Sequence, residues 1–254
     1  MTHDDSLPST TETAQLDELM DTVRTKYDVR FEPLVVGDIA LEFLQISDMA
    51  ALLERLSREA GEERLALPLW ARIWPTAILL SYYLRRVAPM NDSGAPKKLL
   101  ELGAGVGVCG LFAAAMGFDV TLTDINPDAL LFTRINILKN GLSGRARALR
   151  VDFAADRLGC RFDGIVGSEI LYLEDLHRPL VKFLTAHLAL HPEAEVLLAR
   201  EYHRKATTFT RRAVREFQLE EKILGYRETS TDGDPKSGER RLAVITRMRA
   251  RKHA

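Results

Sequence analysis

The sequence predicts an α/β fold, a doubly wound and mostly parallel sheet with helices on both faces. Three observations predict it. From Lys97 onward β-type and helix-type segments alternate, the order that builds a parallel sheet through helical crossovers. One apolar run, Leu99-Leu100-Glu101-Leu102, ends on glycines at alternate positions, Gly103-Ala104-Gly105-Val106-Gly107. A buried parallel strand that turns sharply into a helix beneath a ligand reads this way, because glycines let the backbone turn tightly and approach the ligand without Cβ atoms between. Finally, the last two β runs, residues 218–224 and 241–247, are joined by a polar loop over 229–239 holding Gly233, Pro235 and Gly238. With no helix between them, they predict an antiparallel hairpin at the sheet edge.

Composition agrees with one large domain carrying an N-terminal embellishment. The chain has 254 residues, 46% hydrophobic and 28% charged, enough to bury a sizeable core and far from a disordered composition. A net charge of -1 gives no global field for nucleic acid or an anionic membrane and argues against both as partners, though a local patch stays open. Cys109 and Cys160 lie far apart and outside any CxxC pair, which fits reduced thiols and a cytoplasmic protein. The first residues carry neither a basic nor an apolar region, so no signal peptide is expected. No apolar window approaches the roughly 18 residues of a membrane span.

In chain order, residues 1–12 are rich in Ser, Thr and Asp and read as a disordered tail. A short helix is expected over 12–26. Gly37-Asp38 between Phe31–Val36 and Ile39–Leu44 predicts a hairpin, and Ser47 would cap a helix that carries Met49, Leu52, Leu53 and Leu56 and closes at Gly61. The segment 67–87 contains both tryptophans, Trp70 and Trp74, with Pro75 placed for the first turn of a helix. Further strands are expected at 120–123, 148–151, 164–168 and 195–200, and helices at 108–116, 127–140, 176–190 and 207–217. The resulting organisation is a tail over 1–12, a helix and hairpin extension over 13–66, and the main domain over 67–250.

Gly105-Val-Gly107-Val-Cys-Gly110 is literally a G-x-G-x-x-G, and Asp124 ends the next apolar run, so a dinucleotide must be considered. Glu101 weighs the other way. A pyrophosphate at a helix N-terminus is repelled by a nearby carboxylate, whereas S-adenosylmethionine has no phosphate and carries an ammonium and a sulfonium.

The motif Glu101-Leu-Gly103-Ala-Gly105-Val-Gly107 resembles the first motif of seven-strand, class I S-adenosylmethionine-dependent methyltransferases. Ile73-Trp74-Pro75-Thr76-Ala77, Thr121-Leu122-Thr123-Asp124 and Gly167-Ser168-Glu169-Ile170-Leu171-Tyr172 narrow the resemblance to the lysine methyltransferase-like group, methyltransferase family 16. It covers about residues 67–205. The resemblance implies a Rossmann-like seven-stranded sheet with Trp74 beside the cofactor, Gly103, Ala104, Gly105 and Gly107 with Glu101 around its methionine end, and Asp124 on the ribose hydroxyls. Asp152 and Phe153 would meet the adenine, and Ser168 would line the floor. The group usually has Trp at the position of Phe153, and Asp at that of Glu169. By the same resemblance Glu169 would hold and orient the acceptor amine and Tyr172 would wall its channel; no metal is implied.

Other chemistry-bearing residues read more plainly. His187 and His191 have helical i, i+4 spacing, but Pro192 follows and no Glu or Cys completes a metal set, so they read as surface histidines. His203, just past the fifth strand, reads as a solvated loop end. Arg204, Lys205, Arg211, Arg212 and Arg215 read as a solvated basic face, with a docking surface for an acidic protein or RNA as the alternative. Arg247, Arg249, Arg251 and Lys252 read as a solubilising tail. The leading functional expectation is methyl transfer to a protein lysine by a monomer. A small-molecule methyltransferase and a non-catalytic cofactor-binding interaction module are the alternatives.

Overall fold

The computed structural model describes residues 10–60, 67–227 and 240–251. Helix α1 (Thr10–Arg24) is followed by strands β1 (Val29–Val36) and β2 (Ile39–Ile46) and helix α2 (Met49–Ala60). The helix starts earlier than expected and takes in the end of the expected tail, with Glu12 in its first turn, where a negative charge favours the dipole. The hairpin pairs Val36 with Ile39, and Gly37 adopts the left-handed φ of 67° that so tight a turn demands. Asp48, not Ser47, caps α2: its Oδ1 accepts the Ala51 N–H at 2.9 Å, while the Ser47 N–H closes the hairpin on the Asp28 carbonyl. Gly61, the tail over 1–9 and the loop over 229–239 lie outside the described residues.

Seven strands form the main sheet in the order β5-β4-β3-β6-β7-β9-β8. Strands β3 (Lys98–Leu102), β4 (Asp119–Asp124), β5 (Ala146–Arg150), β6 (Gly164–Ser168) and β7 (Glu195–Glu201) are parallel. The predicted edge hairpin, β8 (Phe217–Arg227) and β9 (Arg240–Ala250), closes one side antiparallel. Between the strands run α3 (Pro75–Leu84), α4 (Val108–Ala115), α5 (Pro127–Lys139), α6 (His177–His187) and α7 (Thr207–Ala213). Both α6 and α7 are shorter than predicted. Leu188 leaves α6 to bridge Phe162, and Phe217, 1% exposed, is buried as the first residue of β8 instead of the last of α7.

Alternate residues of β3 feed the two faces. Leu99 belongs to the core shared with α3, α4, α5 and the N-terminal hairpin, and Leu100 and Leu102 belong to the core under α6 and α7. This is the period of two that a doubly covered strand must show. The hairpin is tied down by α5, whose side chains complete the outer edge of β2. Asn136 Oδ1 accepts the Leu44 N–H at 2.8 Å, and Asn140 both accepts from the Glu42 N–H and donates to its carbonyl at 2.8 Å.

The C-terminal arginines are structural. Arg247 Nε lies 2.6 Å from Glu195 Oε2, and Arg251 Nε donates to the Val214 carbonyl at 2.8 Å. Of the expected solubilising tail, Arg247, Arg249 and Arg251 instead stitch the edge hairpin onto β7 and the end of α7, and Lys252 lies outside the described residues.

Candidate active site

The chain leaves β3 toward β4 and β5 on one side and reaches β6 and β7 on the other. Such a reversal opens a crevice at the carboxyl ends of the strands. A cleft of about 340 Å³ lies there. It brings together Trp74, Glu101, Gly103, Ala104, Gly105, Asp124, Asp152, Phe153, Ser168, Glu169 and Tyr172, which are the sequence-predicted residues with one exception. Gly107 stands behind the wall as the left-handed N-cap of α4, pressed against Leu122 and Thr133.

The glycine loop has no room for a Cβ at Gly103 or Gly105. Gly103 and Gly105 have φ of 62° and 56°. A Cβ on Gly103 would stand 2.7 Å from Ile170 Cγ2, and one on Gly105 would stand 2.7 Å from the Trp70 carbonyl oxygen. The loop is held from outside the cleft. Thr133 Oγ1 donates to the Gly105 carbonyl at 2.8 Å and Asn136 Nδ2 to the Val106 carbonyl at 2.9 Å. From the cleft side, Asp124 Oδ2 accepts the Gly105 N–H at 2.9 Å while Oδ1 accepts that of Asn126 at 2.9 Å.

Glu101 is buried beneath this loop, 2% exposed. Its Oε2 accepts the Gly110 N–H at 2.8 Å, and a Cβ on Gly110 would fall 2.5 Å from that oxygen. The third glycine of the motif therefore makes room for a carboxylate. Burial pushes the Glu101 carboxyl up to about 8; the Gly110 N–H works against the shift and the charge of Asp124 adds to it.

At the adenine end expected from the motifs, Asp152 Oδ1 accepts the Ala154 N–H at 2.9 Å, so this Asp also organises its own turn. The half-buried Phe153 presents its ring edge-on to Phe183, centroids 6.4 Å apart. Ser168 Oγ and Thr76 Oγ1 are 2.8 Å apart.

Glu169 sits at the carboxyl end of β6 with φ of 56°, the one non-glycine in left-handed backbone among the described residues. Such a conformation costs about 1–3 kcal/mol and persists where the surroundings over-determine it. Here the Glu169 N–H extends the ladder to the Ala199 carbonyl at 2.9 Å. Its buried carboxylate accepts the Glu201 N–H through Oε1 at 2.7 Å. Arg204 Nε lies 3.0 Å from Oε2, but that oxygen accepts no hydrogen bond of proper geometry. Burial raises the Glu169 pKa, against the Glu201 N–H, the Arg204 charge and the Thr76 hydroxyl. Tyr172 stands at the rim, 55% exposed. Trp74 precedes α3 with its Nε1 donating to the Leu69 carbonyl at 3.1 Å, and the Arg72 and Arg204 guanidinium carbons lie 4.7 and 5.9 Å from its ring centroid.

Sequence reasoning gives no site role to Arg72 or Arg204, which line the cleft, or to Thr76, whose hydroxyl meets Ser168 at its wall. Arg204 was grouped with the solvated basic face, yet it lines the cleft; its position just past the carboxyl end of β7 was the available signal. The Thr76 hydroxyl went unremarked inside the Trp-Pro-Thr motif. His203 is exposed, its ring edge-on to Tyr202. His187, expected on the surface, is buried. Its Nδ1 donates to the Phe183 carbonyl at 2.8 Å and its Nε2 accepts the Leu158 N–H at 3.0 Å. Burial pushes its pKa down. His191 pairs with Asp163 at 2.8 Å. Among the described residues no three His, Cys, Asp or Glu side chains converge to hold a metal ion, and no helix is long and apolar enough to cross a membrane.

This architecture is shared with solved S-adenosylmethionine-dependent methyltransferases. One from Agrobacterium tumefaciens aligns with a TM-score of 0.59 at 21% identity, covering 89% of this chain and 78% of that one. A putative RNA methyltransferase from Pyrococcus horikoshii aligns at 0.53 and 15% identity, covering 79% and 98%. The fold is thus one that solved methyltransferases share. The sequence goes further: the family described as lysine methyltransferase matches residues 60–215, and the chain belongs to that family. EEF1A lysine methyltransferase 3 of Mus musculus is 35% identical over 156 residues, 59% of this chain and 65% of that one. Protein N-lysine methyltransferase METTL21A of Danio rerio is 31% identical over 157 residues, covering 59% and 70%. The chain therefore spans less than two thirds of the length of the first of these relatives.

Proposed function

We propose that this chain transfers a methyl group from S-adenosylmethionine to the side-chain nitrogen of a lysine in a protein substrate. The carrying observation is Glu169. It is a carboxylate fixed at the cleft by strained backbone and by the Glu201 N–H, with a second oxygen that accepts no hydrogen bond. Membership of the lysine methyltransferase family supports the choice of acceptor.

The residues present suit the cofactor. The cradle at Gly103 and Gly105 is one that a Cβ would fill, and Asp124 and Glu101 line it; the charge of Asp124, joined by that of Glu101 once a cation displaces its proton, favours a cationic ligand without phosphate over an anionic one. Gly103, Ala104 and Gly105 with Glu101 would hold the methionine end, Asp124 the ribose hydroxyls, Asp152 and Phe153 the adenine, with Ser168 as floor and Trp74 alongside. When bound, S-adenosylmethionine supplies a methyl group already activated on a sulfonium. What is left to the protein is alignment. Glu169 Oε2 accepts an N–H of the acceptor amine and points its lone pair inward, and Tyr172 walls the entrance. A lysine amine has a reference pKa near 10.4, so partial desolvation in the cleft is needed to release its proton to water. Glu169 acts by orientation and need not itself keep that proton.

The free cysteines, Cys109 buried and Cys160 exposed, suit a reducing compartment, and we place the protein in the cytoplasm as a monomer. The extension over 13–66 serves as a brace for the main domain over 67–250: Asn136 bonds both Leu44 of β2 and Val106 of the glycine loop. The test is incubation of a cell lysate with the protein and tritiated S-adenosylmethionine. One labelled protein band is the expected result; label confined to small molecules, or none, would refute the proposal.

A further inference from the structure

The cation now resting against Glu169 belongs to the protein itself. Arg204 Nε lies 3.0 Å from Glu169 Oε2, and its Cζ lies 5.9 Å from the Trp74 ring centroid, a ring that Arg72 also approaches, at 4.7 Å. A carboxylate on one side and an aromatic ring on the other is the recognition set for an organic cation.

The two partners are held very differently. Glu169 is fixed: its side chain is 6% exposed and its Oε1 is locked by the Glu201 N–H. The Arg204 backbone is fixed as well. Its N–H turns back to the Glu201 carbonyl at 3.1 Å, and its own carbonyl accepts Nη1 of the buried Arg200 at 2.8 Å. Beyond that anchored backbone the Arg204 side chain is 43% exposed. Its contact with Oε2 lacks hydrogen-bond geometry, and its contact with Trp74 is a loose one. A rigid acid facing a weakly held, half-exposed base is built for exchange.

We propose that Glu169 and Trp74 form an organic-cation subsite for the acceptor ammonium, and that Arg204 is its resident occupant in the free protein, swinging outward when the acceptor enters. This rests on the lysine reading above. The consequence is selectivity. A tethered guanidinium competes at a high effective concentration, so free amines are shut out. An acceptor must bring additional contacts at the rim, as a folded protein does and a metabolite amine does not.

The probe is Nα-acetyl-lysine methylamide, titrated by NMR into the wild type, Arg204→Ala, Arg204→Gln and Arg204→Ala/Glu169→Gln. Removing the occupant should tighten binding roughly three- to thirtyfold, the reach of one half-exposed ion pair and one exposed cation–π contact. The double variant should lose that gain. Matching thermal melts guard against misfolding, and the second single variant repeats the test with a polar side chain in place. Equal, weaker or undetectable binding by both single variants overturns the proposal and makes Arg204 a support of the Glu169 charge. No turnover is involved, so failure here is distinct from failure to label a protein.

Discussion

Glu101→Gln separates what the buried carboxylate does to the fold from what it does for the ligand. Its folded pKa of about 8 lies above the 4.5 of an unburied glutamate. Below 4.5 both folded and unfolded chains hold the proton. Between 4.5 and 8 the unfolded chain releases it and the folded chain keeps it, so stability falls as pH rises through that window and levels off above 8. At 1.36 kcal/mol per pH unit the loss is at most about 5 kcal/mol. The amide of Gln cannot ionise, but its oxygen can still accept the Gly110 N–H at the place of Oε2. Melting temperatures of the two proteins should therefore diverge between pH 5 and pH 8, with the variant the more stable at the upper end. For a chain of this size each kcal/mol is worth about 2–4 °C. The same variant should bind S-adenosylmethionine more weakly, most clearly above pH 8, where Glu101 of the free protein is ionised, because the acid that can place a negative charge beside a cationic ligand is gone. Melting curves that stay parallel from pH 5 to pH 8 would refute the argument.

Other outcomes follow from the same geometry. Gly105→Ala forces an alanine into φ of 56° and a Cβ toward the fixed Trp70 carbonyl. It should cost at least about 2 kcal/mol in denaturant melts, and calorimetry should find cofactor binding gone. Asn136→Ala leaves the Leu44 N–H and the Val106 carbonyl unpaired in a buried place. Each such group costs about 1–3 kcal/mol, and urea unfolding that shifts by less than about 1 kcal/mol would contradict the role of Asn136 as a brace. Arg204→Lys puts an amine within reach of Glu169, since Lys carries one more methylene before its nitrogen than Arg carries before Nε. Mass spectrometry after incubation with S-adenosylmethionine should find that new lysine methylated; an unmodified chain would contradict an acceptor amine placed at Glu169.

Much of this was legible in the chain because local and global signals agree. The glycine spacing predicts a tight turn, found as left-handed backbone at Gly103 and Gly105, and Glu101, expected beside the ligand, does line the cleft. The misreadings share a cause. Sequence patterns carry which residues are polar but not where long-range packing sends them. Arg204 reads as solvated among other basic residues, yet Arg200 and the edge hairpin turn it into the cleft, with Arg200 Nη2 3.2 Å from Glu221. His187 reads as surface at a helix end, yet the Leu158 N–H arrives from a loop 29 positions earlier to bury it. The arginines of β9 read as a tail because Glu195, their partner, is remote in sequence. Phe217 reads as helical until β8 claims it.

The proposed role of Glu169 is to present a protein lysine to the methyl donor. The direct measurement takes the labelled lysate protein, locates the new methyl group by mass spectrometry, and repeats the transfer with Glu169→Ala while measuring its cofactor affinity by calorimetry. The expected result is methylation on a lysine side-chain nitrogen, abolished in the variant, with cofactor affinity within about threefold of wild type, since ground-state binding and presentation of the acceptor are separate. Equal turnover by variant and wild type, or a methyl group on anything but a lysine nitrogen, would contradict it.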